Sequence, residues 1–107
     1  MKIAVTSQNR RSITSHAGRC RRFWVYEVED QQVQSKELLE LAKEESFFET
    51  GPQEPHPLDD ADVFITQGMG EGLVRRLHAH GTRSYVTSET DPDTAVEKLL
   101  EGTLKFR

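Results

Sequence analysis

Apolar positions along the chain recur with two spacings, one typical of strands and one typical of helices. Five short blocks are rich in β-branched and aromatic residues, and two stretches place apolar residues three and four positions apart. The first pattern predicts β-strands at residues 1–6, 23–29, 33–41, 62–67 and 83–87. The second predicts helices at residues 73–80 and 92–101, the latter with Asp91 as N-cap, Pro92 at its first position and Gly102 after its end.

The order of these elements predicts one α/β domain over residues 1–107. The last two strands flank the first helix in a β–α–β unit, which needs parallel strands and a right-handed crossover. The first three strands favour antiparallel pairing. We therefore expect a mixed five-stranded sheet with helices packed on it, and residues 63–65 (VFI) in a strand covered on both faces.

Two segments leave alternatives open. Residues 38–45 (LLELAKEE) end the third strand or begin a helix. Residues 42–60 hold Gly51 and three prolines among acids, which is typical of a loop. Because Phe47 and Phe48 lie inside it, the sequence favours an ordered connection pinned by one phenylalanine. The alternative is a flap that folds over the body and carries His56 across a site.

Composition excludes several classes of function. The net charge is −4, so attraction to nucleic acid or to an anionic membrane surface is not expected. No apolar run approaches the roughly 18 residues that a membrane helix needs. Cys20 is the single cysteine, so no internal disulfide forms, and a free thiol suits a reducing cytoplasm.

The loop after the first strand is strongly basic and contains no acid. Planar guanidinium groups bind multi-oxygen and multi-sulfur anions, and an excess of positive charge concentrates anions. The candidate cofactor-binding residues of this loop are Arg10, Arg11, His16, Gly18, Arg19, Arg21 and Arg22. The alternative is a solvated loop whose arginines pair with acids elsewhere in the chain.

Two residues of the same loop are candidate metal ligands. His16 and Cys20 have ligand atoms that suit zinc, iron and copper. Two ligands cannot close a tetrahedral zinc site, but they could hold one corner of a preassembled cluster. The neighbouring arginines predict a lowered pKa for Cys20. The alternative is that Cys20 is a small buried hydrophobe.

A glycine-rich turn precedes the first helix and forms the second candidate constellation. This turn would let a ligand approach backbone amides at a helix N-terminus. Its candidate cofactor-binding residues are Gly68, Met69, Gly70 and Gly72. The pattern is neither a P-loop nor a dinucleotide fingerprint, so a plain tight turn is equally compatible. If the first and fourth strands are neighbours, both constellations face one pocket at their carboxyl ends.

The sequence shows neither a nucleophile paired with a base nor a pair of acids in a recognisable catalytic pattern. We therefore expect a protein that is not an enzyme. A nuclease acting through two metal ions needs converging carboxylates, and the first strand carries none.

Four stretches of the chain resemble the dinitrogenase iron–molybdenum cofactor biosynthesis family, which includes cluster carriers and the C-terminal domain of NifB. The resemblance covers about residues 1–104 and rests on the order and spacing of MKIAVTS, SHAGRCRRFWVYEVED, HPLDDADVFITQGMGEGLVRRLHAHG and VTSETDPDTAVEKLLEGTL. It implies a ribonuclease-H-like three-layer α/β/α fold. It also implies non-catalytic binding of an iron–sulfur or molybdenum-containing cluster, with cluster donor or acceptor proteins as partners.

The chain departs from the family pattern at three places. A His-Phe-Gly that often precedes the second strand is here His16, Ala17 and Gly18, and Cys20 stands where many members have a small residue. The connection between the third and fourth strands is short where other members have a helix. One branch of the family binds a molybdenum–copper sulfide cluster through charge and hydrogen bonds, which suits the arginine-rich loop.

The alternative function is a regulatory or scaffolding module that binds a small anion or a protein partner.

Overall fold

The computed structural model describes residues 1–107. Its strands are β1 (Lys2–Thr6), β2 (Arg22–Glu29), β3 (Gln32–Glu40), β4 (Val63–Thr66) and β5 (Arg83–Val86). Its helices are α1 (Glu71–Ala79) and α2 (Pro92–Glu101), and short 3-10 turns form at Ala17–Arg19 and Lys43–Glu45. All five strands and both helices lie where the hydrophobic pattern predicts them.

The strands form one mixed sheet in the order β3-β2-β1-β4-β5. β1 pairs antiparallel with β2 and parallel with β4, while β2–β3 is antiparallel and β4–β5 is parallel. The expected five-stranded mixed sheet is confirmed. Because β1 and β4 are parallel neighbours, the loops that leave their carboxyl ends emerge at the same edge of the sheet.

Each face of the sheet carries its own apolar core, because successive side chains of a strand point to opposite faces. On β4, Phe64 packs with α1, whereas Val63 and Ile65 pack with α2. Helices therefore cover both faces, as expected for the apolar run at residues 63–65. The name ribonuclease-H-like for this arrangement stays a prediction.

Residues 38–45 do not form a helix. β3 continues to Glu40 because Leu38 and Leu39 pair with Trp24 and Phe23 of β2. The backbone then makes only the 3-10 turn Lys43–Glu45.

Both ends of α2 follow the expected capping pattern. A side-chain oxygen of Asp91 accepts a hydrogen bond from the N–H of Thr94 at 2.8 Å, and Gly102 has a φ of 78° at the C-terminus. In contrast, α1 begins two residues earlier than predicted, with Gly70 as N-cap. Gly72 therefore lies in the first turn of α1 and not in the preceding loop.

Both helices are too short and too polar to cross a bilayer.

The connection of residues 41–62 packs on the α1 face of the sheet. Phe47 is buried with 6% of its surface exposed, whereas Phe48 is 59% exposed. Edge-to-face contacts join the Phe47 ring to Phe23 at 6.4 Å and to Phe64 at 5.9 Å. The expectation of an ordered connection pinned by one phenylalanine is thus met.

Candidate functional site

A cavity of about 430 Å³ opens at the edge of the sheet where β1 and β4 end. The loop after β1 contributes His16, Gly18 and Arg19, and the start of α1 contributes Gly70 and Gly72. Part of each predicted constellation therefore lines one pocket: three residues of the loop and two of the glycine-rich turn.

The loop and the glycine turn are fastened together by backbone hydrogen bonds. The N–H of Ala17 donates to the carbonyl of Gly68 at 3.1 Å, and the N–H of Gln67 donates to the carbonyl of Thr14 at 3.2 Å. The hydroxyl of Thr66 also donates to the Thr14 carbonyl, at 2.9 Å. A Cβ on Gly68 would lie 3.3 Å from the Cβ of Ser15, so the close approach of the two backbones favours glycine here.

His16 adopts the left-handed backbone conformation, with φ 57° and ψ 49°. This conformation is costly for a residue with a Cβ, and such residues cluster at functional sites. It turns the chain sharply into the 3-10 turn Ala17–Arg19, where the N–H of Arg19 donates to the carbonyl of His16 at 2.9 Å. The imidazole is exposed and borders the cavity.

Arg19 is the cation at the rim of the cavity. Its guanidinium carbon lies 3.9 Å from the centre of the Phe48 ring, and the N–H of Phe48 donates to the carbonyl of Gly18 at 2.7 Å. No carboxylate forms a salt bridge with Arg19. A cation held on an aromatic face without an acid partner remains available to an anion.

The opposite wall is apolar and comes from α1 and the 41–62 connection. Its residues are Phe47, Phe48, Thr50, Pro52 and Leu73. Sequence reasoning did not assign these residues to the site, because only the fold brings the connection beside the glycine turn.

Arg76 of α1 also borders the cavity and was missed by sequence reasoning. It donates to both carboxylate oxygens of Asp59, at 3.1 and 3.0 Å, and to the carbonyls of Gly51 at 3.0 Å and Glu54 at 2.6 Å. Burial raises the pKa of Asp59, but hydrogen bonds from Arg76 and from the N–H of His56 outweigh it and hold that pKa below its ordinary value. A signal existed in the sequence, since Arg76 stands three residues after Leu73 and borders the apolar face of the helix.

Gly70 and Gly72 leave the N-terminal end of α1 uncovered. A Cβ on either residue would meet nothing within 4 Å, so open space faces both backbones. The first N–H groups of a helix have no partners within the helix and carry a partial positive charge. An anion in the cavity can therefore approach these amides.

The remaining arginines of the predicted site lie outside the cavity. Arg10 and Arg22 share the carboxylate of Glu40, with nitrogen–oxygen distances of 3.2 Å. Arg21 donates to the carbonyl of Leu41 at 3.2 Å, and Arg11 is exposed. Their expected place around one pocket with Arg19 is corrected, because the side chains of Arg10, Arg21 and Arg22 bond to Glu40 and Leu41 at the end of β3.

Met69 and Gly68 support the site without lining the cavity. Met69 packs against the apolar core on the α1 face. Gly68 holds the loop through its carbonyl, as described above.

Comparison with known proteins fits the fold and the pocket. The sequence profile of the dinitrogenase iron-molybdenum cofactor family matches residues 1–102. The chain belongs to this family.

Relatives of the chain extend over nearly its whole length. The uncharacterised protein MJ0580 of Methanocaldococcus jannaschii is 27% identical over 107 residues, which is 98% of this chain and 90% of the relative. The crystal structure of PH0822 superimposes with a TM-score of 0.76 at 21% identity, over 99% of this chain and 94% of that chain. A Thermotoga protein provisionally described as NifB, TM1290, gives a TM-score of 0.72 at 21% identity, over 98% and 91% of the two chains. At these identities the structural likeness establishes the fold.

Cys20 is a small buried side chain, the alternative that the sequence left open. Its thiol is buried and donates to the carbonyl of Arg22 at 3.0 Å. Burial raises the pKa of Cys20, so the predicted lowering is wrong, because desolvation outweighs the hydrogen bonds that favour the thiolate. Cys20 lines a second cavity of about 440 Å³, whose wall also includes His16 and Arg19.

The polar groups that line the first cavity suit an anion held largely by charge and hydrogen bonds. No group of three His, Cys, Asp or Glu side chains is placed to hold a metal ion. His16 is the single histidine or cysteine at the first cavity, beside Arg19 and the amides of α1. These residues fit a preassembled cluster that brings its own sulfide or oxygen ligands and takes at most one ligand from the protein.

His56 does not lie over the site. Its ring stacks on the inner side of Phe47, with 3.6 Å between ring centres, and its Nδ1 accepts a hydrogen bond from the N–H of Leu58 at 3.0 Å. The idea that a flap swings His56 across the pocket is therefore wrong, because this side chain anchors the connection from beneath.

Burial lowers the pKa of His56 from 6.5 to about 4, with Asp59 opposing the shift and Arg76 adding to it. Above pH 6.5 the imidazole is neutral in both the folded and the unfolded chain. As the pH falls from 6.5 to 4, the unfolded chain gains a proton that the folded chain does not, so the free energy of unfolding falls. We therefore expect the free energy of unfolding, measured by urea denaturation, to fall more between pH 7 and pH 5 in the natural protein than in His56→Asn. The side-chain oxygen of asparagine can still accept the hydrogen bond from the N–H of Leu58. Equal losses would contradict this assignment.

Proposed function

We propose that the protein binds and carries an anionic, sulfide-bridged metal cluster, of the iron–sulfur or molybdenum-containing class, without catalysing a reaction. The observation that carries the proposal is the meeting of Arg19, His16 and the uncovered N-terminus of α1 around one cavity. Membership of a family associated with the dinitrogenase iron–molybdenum cofactor supports this choice of cargo over other anions.

The parts of the pocket have separate tasks in this proposal. The guanidinium of Arg19 and the amides at the start of α1 neutralise and hydrogen-bond the sulfide or oxygen atoms on the outside of the cluster. His16 supplies one nitrogen to a metal at the cluster edge, and its left-handed backbone sets the direction of the imidazole. The apolar wall formed by Phe47, Pro52 and Leu73 limits the access of water.

Such a donor set suits a carrier, because cargo held by few protein ligands can leave without the exchange of several metal–ligand bonds. Cluster assembly and delivery require both retention and release. A site of three or four cysteines would favour permanent residence instead.

The proposal is tested by anaerobic uptake of two probes, tetrathiomolybdate and a thiolate-ligated [4Fe–4S] cluster. We expect the natural protein to retain visible absorption and bound molybdenum or iron after gel filtration. The double variant His16→Asn, Arg19→Met should bind at least about tenfold more weakly, since each charge-assisted contact contributes about 1.5–3 kcal/mol. Asparagine is chosen because it tolerates the left-handed backbone of His16.

A second variant tests the cavity itself. Gly72→Leu places a side chain in open space within a helix, so the fold should gain stability by about 0.5–1 kcal/mol while cluster uptake falls. The matched control is Arg11→Gln, which removes one positive charge outside the cavity. Equal uptake by the natural protein and both site variants would contradict the proposal.

A further inference from the structure

Four arginines that do not line the cavity form a second basic surface on the loop after β1 and at the start of β2. The arginine surface consists of Arg10, Arg11, Arg21 and Arg22. A single carboxylate, that of Glu40, is shared by two of them, and Arg11 and Arg21 have no acid partner. The chain as a whole has 18 acids against 14 lysines and arginines, so this surface is a local reversal of the overall charge.

The backbone that carries this surface is firmly held. The side-chain oxygen of Asn9 accepts hydrogen bonds from the N–H groups of Arg11 and Ser12, both at 2.9 Å. The side-chain oxygen of Gln8 accepts from the N–H of Arg21 at 2.8 Å, and the carbonyl of Gln8 accepts from Arg22 at 3.1 Å. Gln8 thereby ties the loop to the beginning of β2, so binding to this surface requires little ordering of the backbone.

Arg10 adds a sign of constraint. Its φ of 66° lies in the left-handed region, which is unusual for arginine. The carbonyl of Arg10 accepts a hydrogen bond from the indole N–H of Trp24 at 3.2 Å. The fold thus holds the loop in a costly conformation that presents guanidinium groups to solvent.

The arginine surface lies beside the cluster site. Gln8, which bonds to both Arg21 and Arg22, lines the second cavity together with His16 and Arg19. A molecule docked on the arginine surface would therefore lie next to the second cavity, whose wall includes His16 and Arg19.

The size and surroundings of the patch determine the chemistry of its partner. A long nucleic acid would run beyond four arginines onto the rest of a chain whose net charge is −4. The Trp24 ring is covered by the ammonium of Lys36, 4.4 Å from the ring centre. A short run of aspartates and glutamates matches the patch without reaching the repulsive surroundings. Arginine also pairs with carboxylates through two parallel hydrogen bonds.

We propose that the arginine surface docks a short acidic segment of a partner protein and places that partner next to the cluster pocket. The docking stands on the arginine surface alone, whereas its use in cluster exchange rests on the proposed function. Charge complementarity of this kind speeds association and selects partners, and it weakens as salt rises.

The test uses a fluorescein-labelled peptide of eight Asp and Glu residues, with an Asn and Gln peptide of equal length as the neutral control. We expect fluorescence anisotropy to show binding at 50 mM salt that weakens several-fold at 200 mM salt. The double variant Arg11→Gln, Arg21→Gln should bind at least fivefold more weakly. The matched control Arg75→Gln, Arg83→Gln, which removes two exposed arginines elsewhere, should bind as the natural protein does.

Three results would contradict docking of an acidic segment on the arginine surface. Unchanged binding by Arg11→Gln, Arg21→Gln with native circular dichroism would overturn the proposal, as would tighter binding of an eight-nucleotide single-stranded DNA than of the acidic peptide. Concentration-dependent dimerisation that the double variant abolishes would also overturn it, by assigning the surface to a second copy. If Arg21→Gln unfolds the protein, the charge reversal Arg11→Glu replaces the pair. Loss of cluster uptake in His16→Asn, Arg19→Met with unchanged peptide binding would separate the two sites.

Discussion

Replacement of Phe47 by alanine should lower the free energy of unfolding by about 3 kcal/mol, within the range measured for buried phenylalanines. The ring lies among Phe23, Phe64 and His56, and its removal leaves a cavity that the surrounding sheet cannot close. For a domain of this size the loss corresponds to a fall in melting temperature of roughly 10–20 °C. It should also loosen the wall of the first cavity, because Phe47 anchors the 41–62 connection.

The adjacent residue supplies the control. Phe48 is exposed and rests only under the guanidinium of Arg19, so Phe48→Ala should change stability by less than about 1 kcal/mol. Thermal and urea denaturation of the two variants measure the contrast directly. Similar losses of stability in both variants would show that the connection is not pinned as described.

Replacement of Arg76 by methionine should destabilise the protein by about 2–3 kcal/mol. The arginine is 12% exposed, and its removal takes a cationic donor from the carboxylate of Asp59 and from the carbonyls of Gly51 and Glu54. Asp59 keeps the N–H of His56 and the imidazole of His80 at 3.5 Å. A partly buried carboxylate that has lost its arginine costs more than the loss of the contact alone. Hydrogen exchange at the amides of residues 49–56 should therefore accelerate more than exchange in the sheet.

Two comparisons test the cause of this loss. Arg75→Met removes a neighbouring arginine whose pair with Glu71 is 3.9 Å long and exposed, so its effect should stay below about 0.5 kcal/mol. The double variant Arg76→Met, Asp59→Asn should be more stable than Arg76→Met alone, since it removes the carboxylate charge that has lost its arginine. No recovery in the double variant would show that the arginine acts through packing and not through its charge.

Sequence reasoning predicted the sheet well because strand and helix periods are local properties. Residues 63–65 are apolar on both faces and lie in the centre of the sheet, and Asp91, Pro92 and Gly102 mark the ends of α2 through rules that act within a few residues. The approach of His16 to the glycine turn was also predictable, since parallel neighbours place their following loops at one edge.

The rest of the site depends on contacts between distant parts of the chain. The lowered pKa expected for Cys20 failed because burial, which sequence spacing does not reveal, outweighs the neighbouring arginines. The five arginines do not share one cavity because Arg10 and Arg22 pair with Glu40 at the end of β3 and Arg21 bonds to the carbonyl of Leu41, contacts that sequence spacing does not reveal. Phe48 and Pro52 reach the cavity through the path of the 41–62 connection, which contains no periodic pattern to read, and Arg76 of α1 meets that connection only in the folded chain.

The grip of Arg76 on this connection has a consequence for how the family could diversify. Two of its contacts, at Gly51 and Glu54, are to main-chain oxygens, which every amino acid possesses. Substitutions at Thr50 or Pro52 can therefore reshape the cavity without removing any of these bonds. Evolution or protein engineering could therefore change the residues that line the cavity to suit a different ligand, while the hydrogen bonds of Arg76 hold the connection in the same position.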